Sequence, residues 1–161
     1  MIARCRYFNS IQSECFDELY HQGSRCNSIV SAPTAAGKTV ILELAILSML
    51  RSCVRYDETF QSPRGTLKAI YIAPTRSLVQ EKAREWAQRF GNQCLGLQVR
   101  EVTGDTEKDS IRLMHDADII CTTPEKLDSL TRRAKDGIRI LSEVSLRGQR
   151  ALIRDTYVVC S

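Results

Sequence analysis

The 161-residue sequence lacks the features of a secreted, disulfide-bonded or membrane-spanning protein. None of its seven cysteines forms a C-x-x-C pair, and the gaps between them are wide and irregular. This spacing excludes a local zinc knuckle and argues against a disulfide framework. No long apolar core lies near the N-terminus, and the apolar run from Val40 to Leu50 is too short to span a bilayer. These absences predict a reducing compartment, the cytosol or nucleus, and no membrane partner.

The bulk composition is that of an ordinary globular chain. Charged residues make up 26% and hydrophobic residues 43%, with no internal repeat and no low-complexity tract. The length predicts one domain or part of a larger one. The net charge of +4 permits a phosphate-rich partner without requiring one, because ordinary surface charge explains it equally well.

One stretch carries a pattern with a known chemistry. Residues Ser31 to Val40 read S-A-P-T-A-A-G-K-T-V; Asn27 to Val30 before them predict a strand, and Val40 to Cys53 after them predict a buried helix. A strand, a small-residue loop, G-K-T and a helix form the P-loop arrangement, in which backbone N–H groups and the helix N-terminus cradle phosphate oxygens. The alternative is a chance G-K-T in a turn.

The P-loop pattern assigns a role to each of its last two residues. Lys38 can reach the β- and γ-phosphates of a bound nucleotide, and the Thr39 hydroxyl can ligate Mg²⁺. The first position of the usual pattern, G-x-x-x-x-G-K-[ST], is Ala32 here, which is a mild departure.

Helices and strands are predicted to alternate along the rest of the chain. Ser10 is a plausible N-cap for a first helix, and Trp86 has the helical spacing of a core residue rather than of a base-stacking one. The alternation predicts an α/β fold with a mostly parallel sheet flanked by helices. The predicted strands are 67–73, 97–103 and 118–122, and the predicted helices are 76–90, 108–115 and 124–133.

Three predicted strands end in polar clusters. The clusters read A-P-T-R from Ala73 to Arg76, T-G-D from Thr103 to Asp105, and T-T-P-E from Thr122 to Glu125. Functional residues of open parallel sheets lie at the carboxyl ends of strands. Simple turn chemistry explains any one cluster, but all three in this order after the P-loop indicate a functional site.

Together these motifs resemble the first motor domain of superfamily-two DExH-box helicases of the Ski-type branch. The resemblance runs from about Tyr7 to Leu146 and includes F-N-S-I-Q-S from Phe8 to Ser13, similar to the family's glutamine motif. The detail A-P-T-R-x-L-V-Q-E and T-T-P-E-K is similar to the Ski-type branch, within which the chain most resembles the DNA helicases of meiotic crossing-over. It implies a RecA-like P-loop NTPase fold.

The resemblance also implies a set of ligands and site residues. ATP and Mg²⁺ would be the cofactors, with Lys38 and Thr39 catalytic, Thr39 on the metal, and Gln12 reading the adenine edge. Single-stranded or branched nucleic acid, with DNA favoured over RNA, would be held by its phosphates. The implied cofactor-binding residues are Phe8, Gln12, Ala32, Pro33, Thr34, Ala35, Ala36, Gly37, Lys38 and Thr39. The implied nucleic-acid-binding residues are Pro74, Thr75, Arg76, Thr103, Gly104, Asp105, Thr123, Pro124 and Glu125.

The implied function is ATP-dependent DNA unwinding, 3′ to 5′, in meiotic recombination in the nucleus. An RNA helicase of the same branch and a non-catalytic ATP- or nucleic-acid-binding module remain alternatives. A small-molecule P-loop kinase is disfavoured, because no arginine-rich lid is visible and the T-G-D and T-T-P-E clusters would have no role.

The C-terminal part departs from the family. No D-E-x-H follows Leu146, and the second motor domain is missing from this chain. We therefore expect residues 1–146 to be a partial ATP-binding domain and 147–161 to be an atypical tail, as in a fragment or a mis-spliced product. We also expect Thr156 to Cys160, after a turn at Gly148, to form a strand in the position of the D-E-x-H strand. The alternative is a frayed terminus.

Overall fold

The computed structural model describes residues 7–16, 30, 33, 36–51, 68–91, 94–104, 107–133, 150–154 and 157–160. Within these residues helices and strands alternate for most of the chain, as predicted. In chain order they are α1 (Ser10–Phe16), α2 (Lys38–Arg51), β1 (Lys68–Ile72), α3 (Arg76–Phe90), β2 (Val99–Val102), α4 (Glu107–Asp116), β3 (Ile119–Thr122), α5 (Pro124–Arg133), β4 (Arg150–Arg154) and β5 (Tyr157–Cys160).

The strands form one sheet in the order β2-β3-β1-β4-β5. The first four are parallel, and β5 runs antiparallel to β4. From the central strand β1 the chain passes through α3 to β2 at one edge and returns through α4 to β3, which lies between β1 and β2. After α5 it continues on the other side of β1 with β4 and β5. This confirms the predicted α/β class and the mostly parallel sheet.

The two faces of the sheet are covered by different helices. Ala69 and Tyr71 of β1 face the core formed with α2 and α3, whereas Ile70 and Ile72 face the core with α4 and α5. This alternation is the period of two expected for a strand that is buried on both sides. Trp86 is fully buried and packs edge-on against Tyr71, with ring centroids 5.2 Å apart, so the prediction that it is a core residue is confirmed.

The boundaries of the middle elements agree closely with the sequence. Helices α3 and α5 begin and end at the predicted residues, and β1, β2, β3 and α4 agree within two residues. Of the predicted first strand, Asn27 to Val30, only Val30 is described; it is half-buried and packs against the α2 and α3 core.

The predicted N-cap of α1 is wrong by one residue. The backbone N–H of Gln12 donates to Asn9 Oδ1 at 2.8 Å, and the backbone N–H of Asn9 donates to Gln12 Oε1 at 3.1 Å. This reciprocal pair is a capping box, with Asn9 as the cap and Ser10 as the first helical residue. Asn9 prevails because the glutamine three residues later can return the bond.

The tail prediction is right about the strand and wrong about its position. Tyr157–Cys160 is a strand, but it is the outermost of the described strands. The position beside β1 is filled by Arg150–Arg154, paired in parallel with β1 over its whole length. Gly148 lies outside the described residues, so its predicted turn stays untested.

No helix in the described ranges is long and apolar enough to cross a membrane.

Candidate nucleotide and nucleic-acid sites

The described part of the P-loop leads directly into helix α2. Gly37 has a φ of 76°, in the left-handed region, and Lys38 begins the helix. The Ala36 N–H donates to the Pro33 carbonyl at 3.2 Å, which closes a turn of the loop before the helix. Lys38 and Thr39 are half-buried in the first helical turn. Ala32, Thr34 and Ala35 lie outside the described residues, and their predicted contacts stay predictions.

The start of α1 is bonded to the end of the P-loop. Asn9 Nδ2 donates to the Ala36 carbonyl at 2.9 Å, and Gln12 Nε2 donates to the Gly37 carbonyl at 3.2 Å. A Cβ atom at Gly37 would collide with Gln12 Nε2, so the glycine serves both its own backbone angle and this close approach. The upstream motif therefore holds the loop that carries Lys38.

These contacts involve Gln12, which is predicted to hydrogen-bond the adenine edge. Gln12 is buried, its Oε1 accepts from Asn9, and its Nε2 donates to Gly37. Both ends of the amide thus have protein partners, and reading of adenine by Gln12 stays a prediction. Phe8, predicted to pack near the base, is partly exposed and lies against Phe16 with ring centroids 5.4 Å apart.

The three polar clusters come together at the edge of the sheet formed by the carboxyl ends of its parallel strands. Thr122 at the end of β3 is in register with Ile72 of β1 and with Val102 of β2. The next residues, Ala73, Thr103 and Thr123, therefore form a row across the sheet, with neighbouring strands about 4.8 Å apart. Sequence segments separated by up to fifty residues are thus adjacent in the fold.

Two threonines at this edge cap helices. Thr75 is the N-cap of α3, and its Oγ1 accepts from the Leu78 N–H at 3.4 Å. Thr123 Oγ1 accepts from the Lys126 N–H, also at 3.4 Å, at the start of α5. A capping oxygen uses a lone pair and not its own hydrogen, so the Thr123 hydroxyl keeps a donor. Turn chemistry and phosphate binding are therefore compatible at these residues.

The remaining predicted residues of this edge differ in exposure. Pro74, Arg76 and Glu125 are exposed and Pro124 is half-buried. Gly104 is exposed, and a Cβ atom there would meet no other atom within 4 Å, so the backbone is open to a ligand. Asp105 lies outside the described residues.

Thr103 differs from Thr123 because its hydroxyl donates within the protein. Its Oγ1 donates to Glu101 Oε1, and the same carboxylate oxygen accepts from Gln80 Nε2 of α3 at 3.2 Å. Sequence reasoning missed Glu101, and it included Gln80 in the motif A-P-T-R-x-L-V-Q-E without giving it a role in the site. The available signal was the period of two in β2, which places Glu101 on the same side of the strand as Thr103.

Comparison with known proteins gives the family. The model of the DEAD/DEAH box helicase family matches residues 9–155. The chain belongs to the DEAD/DEAH box helicase family. It is 45% identical over 143 residues to an ATP-dependent DNA helicase homolog MER3 of Arabidopsis thaliana, and 40% identical over 130 residues to a probable ATP-dependent DNA helicase HFM1 of Homo sapiens. These matches cover 88% and 81% of this chain, but only 12% and 8% of the relatives' own length.

Solved structures confirm the fold of this helicase domain. The crystal structure of the DUF1998 helicase MrfA is similar over 86% of this chain and 20% of its own, with a TM-score of 0.63 at 21% identity. A hypothetical ATP-dependent RNA helicase from Sulfolobus tokodaii is similar over 95% of this chain and 47% of its own, with a TM-score of 0.59 at 22% identity. The predicted RecA-like helicase fold is therefore confirmed.

Family membership implies ATP as the nucleotide of this helicase domain, and the described loop fits it. A left-handed glycine turn opens a helix whose first residues are a lysine and a threonine. Lys38 would supply positive charge for phosphate, and a threonine hydroxyl such as that of Thr39 is a hard oxygen of the kind that Mg²⁺ prefers. Among the described residues no cluster of three or more acidic, histidine or cysteine side chains forms a metal site.

A buried polar cluster joins the two helices that begin at the candidate sites. Glu43 of α2 accepts from Trp86 Nε1 at 3.4 Å and pairs with Arg89 of α3, which also pairs with Glu85 at 2.8 Å. Burial raises the pKa of Glu43 above its ordinary value, although the Arg89 guanidinium opposes this shift. Sequence reasoning missed this cluster, because Glu43 interrupts an otherwise apolar helix without any local partner.

Proposed function

We propose that this chain is the nucleotide-binding part of the first motor domain of an ATP-dependent DNA helicase. The observation that carries the proposal is the row of polar strand ends at one edge of the sheet. Helices α3 and α5 both begin there with threonine caps, and α2 begins at the G-K-T loop. Helix N-termini, hydroxyls and open backbone are the groups that hold phosphates.

In this proposal the P-loop binds ATP and the strand ends bind one nucleic-acid strand. Lys38 neutralises phosphate charge, and Thr39 holds Mg²⁺, which when bound offsets the charge that develops on the transferred phosphate. Arg76 and the Thr75, Thr123 and Gly104 positions contact the sugar-phosphate backbone. Such contacts carry no sequence information, which suits an enzyme that must move along any sequence.

The names of the relatives support the choice of DNA as the nucleic acid and of the nucleus as the compartment. Those named MER3 and HFM1 are called DNA helicases, which favours DNA over RNA, although an Arabidopsis relative at 37% identity is called an RNA helicase. The structure of MrfA bound to DNA supports nucleic acid as the partner of this fold. We propose single-stranded or branched DNA as the ligand and, with the meiotic resemblance, the nucleus as the compartment.

Binding of an ATP analogue and of DNA tests the proposed function. We expect weak binding of a fluorescent ATP analogue with Mg²⁺, lost in Lys38→Ala because the P-loop lysine is the main cation for the phosphates. Oligo(dT) binding, followed by fluorescence anisotropy, should persist in the same variant. Lys82→Ala is the matched control, since Lys82 pairs with Glu85 on α3, and it should leave ATP binding unchanged.

Binding is the suitable assay because the chain carries no D-E-x-H sequence, so phosphate release should stay at background. That absence also favours a non-catalytic binding module as the second candidate for the chain as it stands. Equal ATP binding by the wild type and Lys38→Ala would contradict the P-loop assignment. ATP binding without any DNA binding would favour the small-molecule kinase alternative.

A further inference from the structure

Glu101 lies between the two segments that the proposed function assigns to nucleic acid. Its Oε1 accepts one hydrogen bond from Gln80 Nε2, on the first half of α3, and another from the Thr103 hydroxyl, at the end of β2. Gln80 is five residues after the cap Thr75, and Thr103 is directly before the open backbone of Gly104. One side-chain oxygen thus connects the start of α3 to the T-G-D loop.

The two bonds fix groups that otherwise rotate. A carboxylate accepts and does not donate, so the Thr103 hydroxyl hydrogen must point toward Glu101. Hydrogen bonds to a charged group are also stronger than neutral ones. The Thr103 hydroxyl is therefore held toward Glu101, and the next residue, Gly104, is exposed.

We propose that Glu101 is a positioning residue for nucleic-acid binding, which sets the Thr103-Gly104 segment relative to the N-terminus of α3. The inference rests on the proposed function, because it takes these two segments as the surface that contacts phosphates. Glu101 itself does not contact the ligand. Its negative charge near a polyanion is unfavourable by electrostatics alone, so its benefit must come from the hydrogen bonds it accepts.

A pair of substitutions in the 161-residue chain separates the bonds from the charge. Glu101→Gln and Glu101→Ala remove the same charge, but only glutamine keeps an acceptor oxygen for Gln80 and Thr103. We expect Glu101→Ala to weaken oligo(dT) binding about fivefold, while Glu101→Gln binds as well as the wild type or more tightly. The Kd of the fluorescent ATP analogue should change less than about twofold in both.

Control variants test whether Glu101 affects oligo(dT) binding through its two hydrogen bonds. Glu81→Ala removes an exposed carboxylate of α3, next to Gln80 in the sequence. This variant should bind oligo(dT) as tightly as the wild type or more tightly. Thr103→Val and Gln80→Ala each remove one donor, and each should lose part of what Glu101→Ala loses. Combined with Glu101→Ala they should add little, since the shared partner is already gone.

Three outcomes would overturn the inference. Equal oligo(dT) affinity of Glu101→Ala and Glu101→Gln would show that the acceptor is irrelevant. Parallel loss of ATP-analogue and oligo(dT) binding in Glu101→Ala would indicate a general structural role. Tighter binding by Glu101→Ala, as for Glu81→Ala, would show that only the charge matters.

A separate measurement covers failure of the proposed function. If the wild type binds no oligo(dT), nucleic-acid binding by this chain is refuted. Hydrogen exchange in the free protein then tests whether Glu101 positions the two segments. Faster exchange at Thr103, Gly104 and Gln80 in Glu101→Ala, but not in Glu101→Gln, would support positioning of the two segments. Unchanged exchange in both variants would refute it.

Discussion

At the scale of single residues, the P-loop glycine and the upstream glutamine depend on each other. Gly37 needs a left-handed φ of 76°, and the space where a Cβ would lie is taken by Gln12 Nε2. The Gln12 amide in turn closes the capping box of α1 with Asn9. The turn that directly precedes Lys38 is thus held by a contact between two distant segments.

Gly37→Ala should therefore damage the nucleotide site more than an ordinary glycine substitution. We expect a loss of about 1–2 kcal/mol in the free energy of unfolding from the left-handed backbone, and at least tenfold weaker ATP-analogue binding, roughly, as Gln12 is displaced. Urea denaturation and fluorescence titration measure the two effects.

Gly104→Ala is the matched control for this substitution. It places a methyl group in open space, so its stability should stay within about 0.5 kcal/mol of the wild type and its ATP binding should not change. Equal effects of the two substitutions would contradict the role given to Gly37.

At the scale of elements, helices α2 and α3 are joined by a buried carboxylate as well as by apolar packing. Glu43 is only 3% exposed, and its partners Trp86 and Arg89 both lie on α3. Burial of the charged form costs free energy, and the pair with Arg89 compensates only in part, because the pKa of Glu43 is still raised. The helix that begins at the P-loop is thereby fixed to the helix that begins at the A-P-T-R segment.

The raised pKa predicts the sign of a pH effect. A carboxyl group with a higher pKa when folded stabilises the fold below its unfolded pKa, and this contribution is lost as pH rises through the folded pKa. The stability of the wild type relative to Glu43→Gln should therefore fall between about pH 4 and about pH 7.5. Urea denaturation of both proteins at the two pH values measures the difference.

Glu81→Gln is the control for the Glu43 comparison, because its side chain is exposed on α3 and its charge is removed in solvent. It should show a much smaller change with pH. A wild-type advantage that grows with pH in the Glu43 comparison would mean that attraction to Arg89 outweighs burial.

At the scale of the whole molecule, the sheet continues beyond β1 with β4, a segment that carries no D-E-x-H sequence. Arg150–Arg154 pairs with β1 on one side and with β5 on the other, so its backbone groups are satisfied in both directions. β5 pairs on one side only within the described sheet. An unpaired edge at β1 would be costly, and any strand-forming segment after α5 is favoured there.

Hydrogen exchange should reproduce this arrangement. We expect the amides of β4 to be protected throughout, because alternate residues donate to β1 and to β5. In β5 protection should alternate, since every second amide points away from β4. The exchange of Ile70 and Ile120 in the central strands provides the internal reference. Exchange of Ala151 to Ile153 at the free-peptide rate would refute the position of β4 beside β1.

The sequence by itself determined the class of fold, the family and the limits of helices α3 and α5. These features depend on neighbouring residues: a threonine cap before Arg76, Gly91 after Phe90, and a proline at the first position of α5. Short-range signals of this kind lie within one segment, so they can be recognised without knowing the rest of the fold. The capping residue of α1 was predicted less well because Asn9 and Ser10 are both good caps, and only the reciprocal hydrogen bonds between Asn9 and Gln12 decide between them.

Only the tertiary structure decided which side chains serve the candidate sites from outside their motifs. Gln12 meets Gly37 25 residues away, Gln80 meets Glu101 21 residues away, and Arg89 meets Glu43 46 residues away. No periodicity connects such pairs, because their proximity follows from the strand order and from the faces that α2 and α3 cover. The same holds for β4: the strand propensity of Tyr157–Cys160 was readable, but the choice of partner for β1 depends on which segment after α5 reaches its open side.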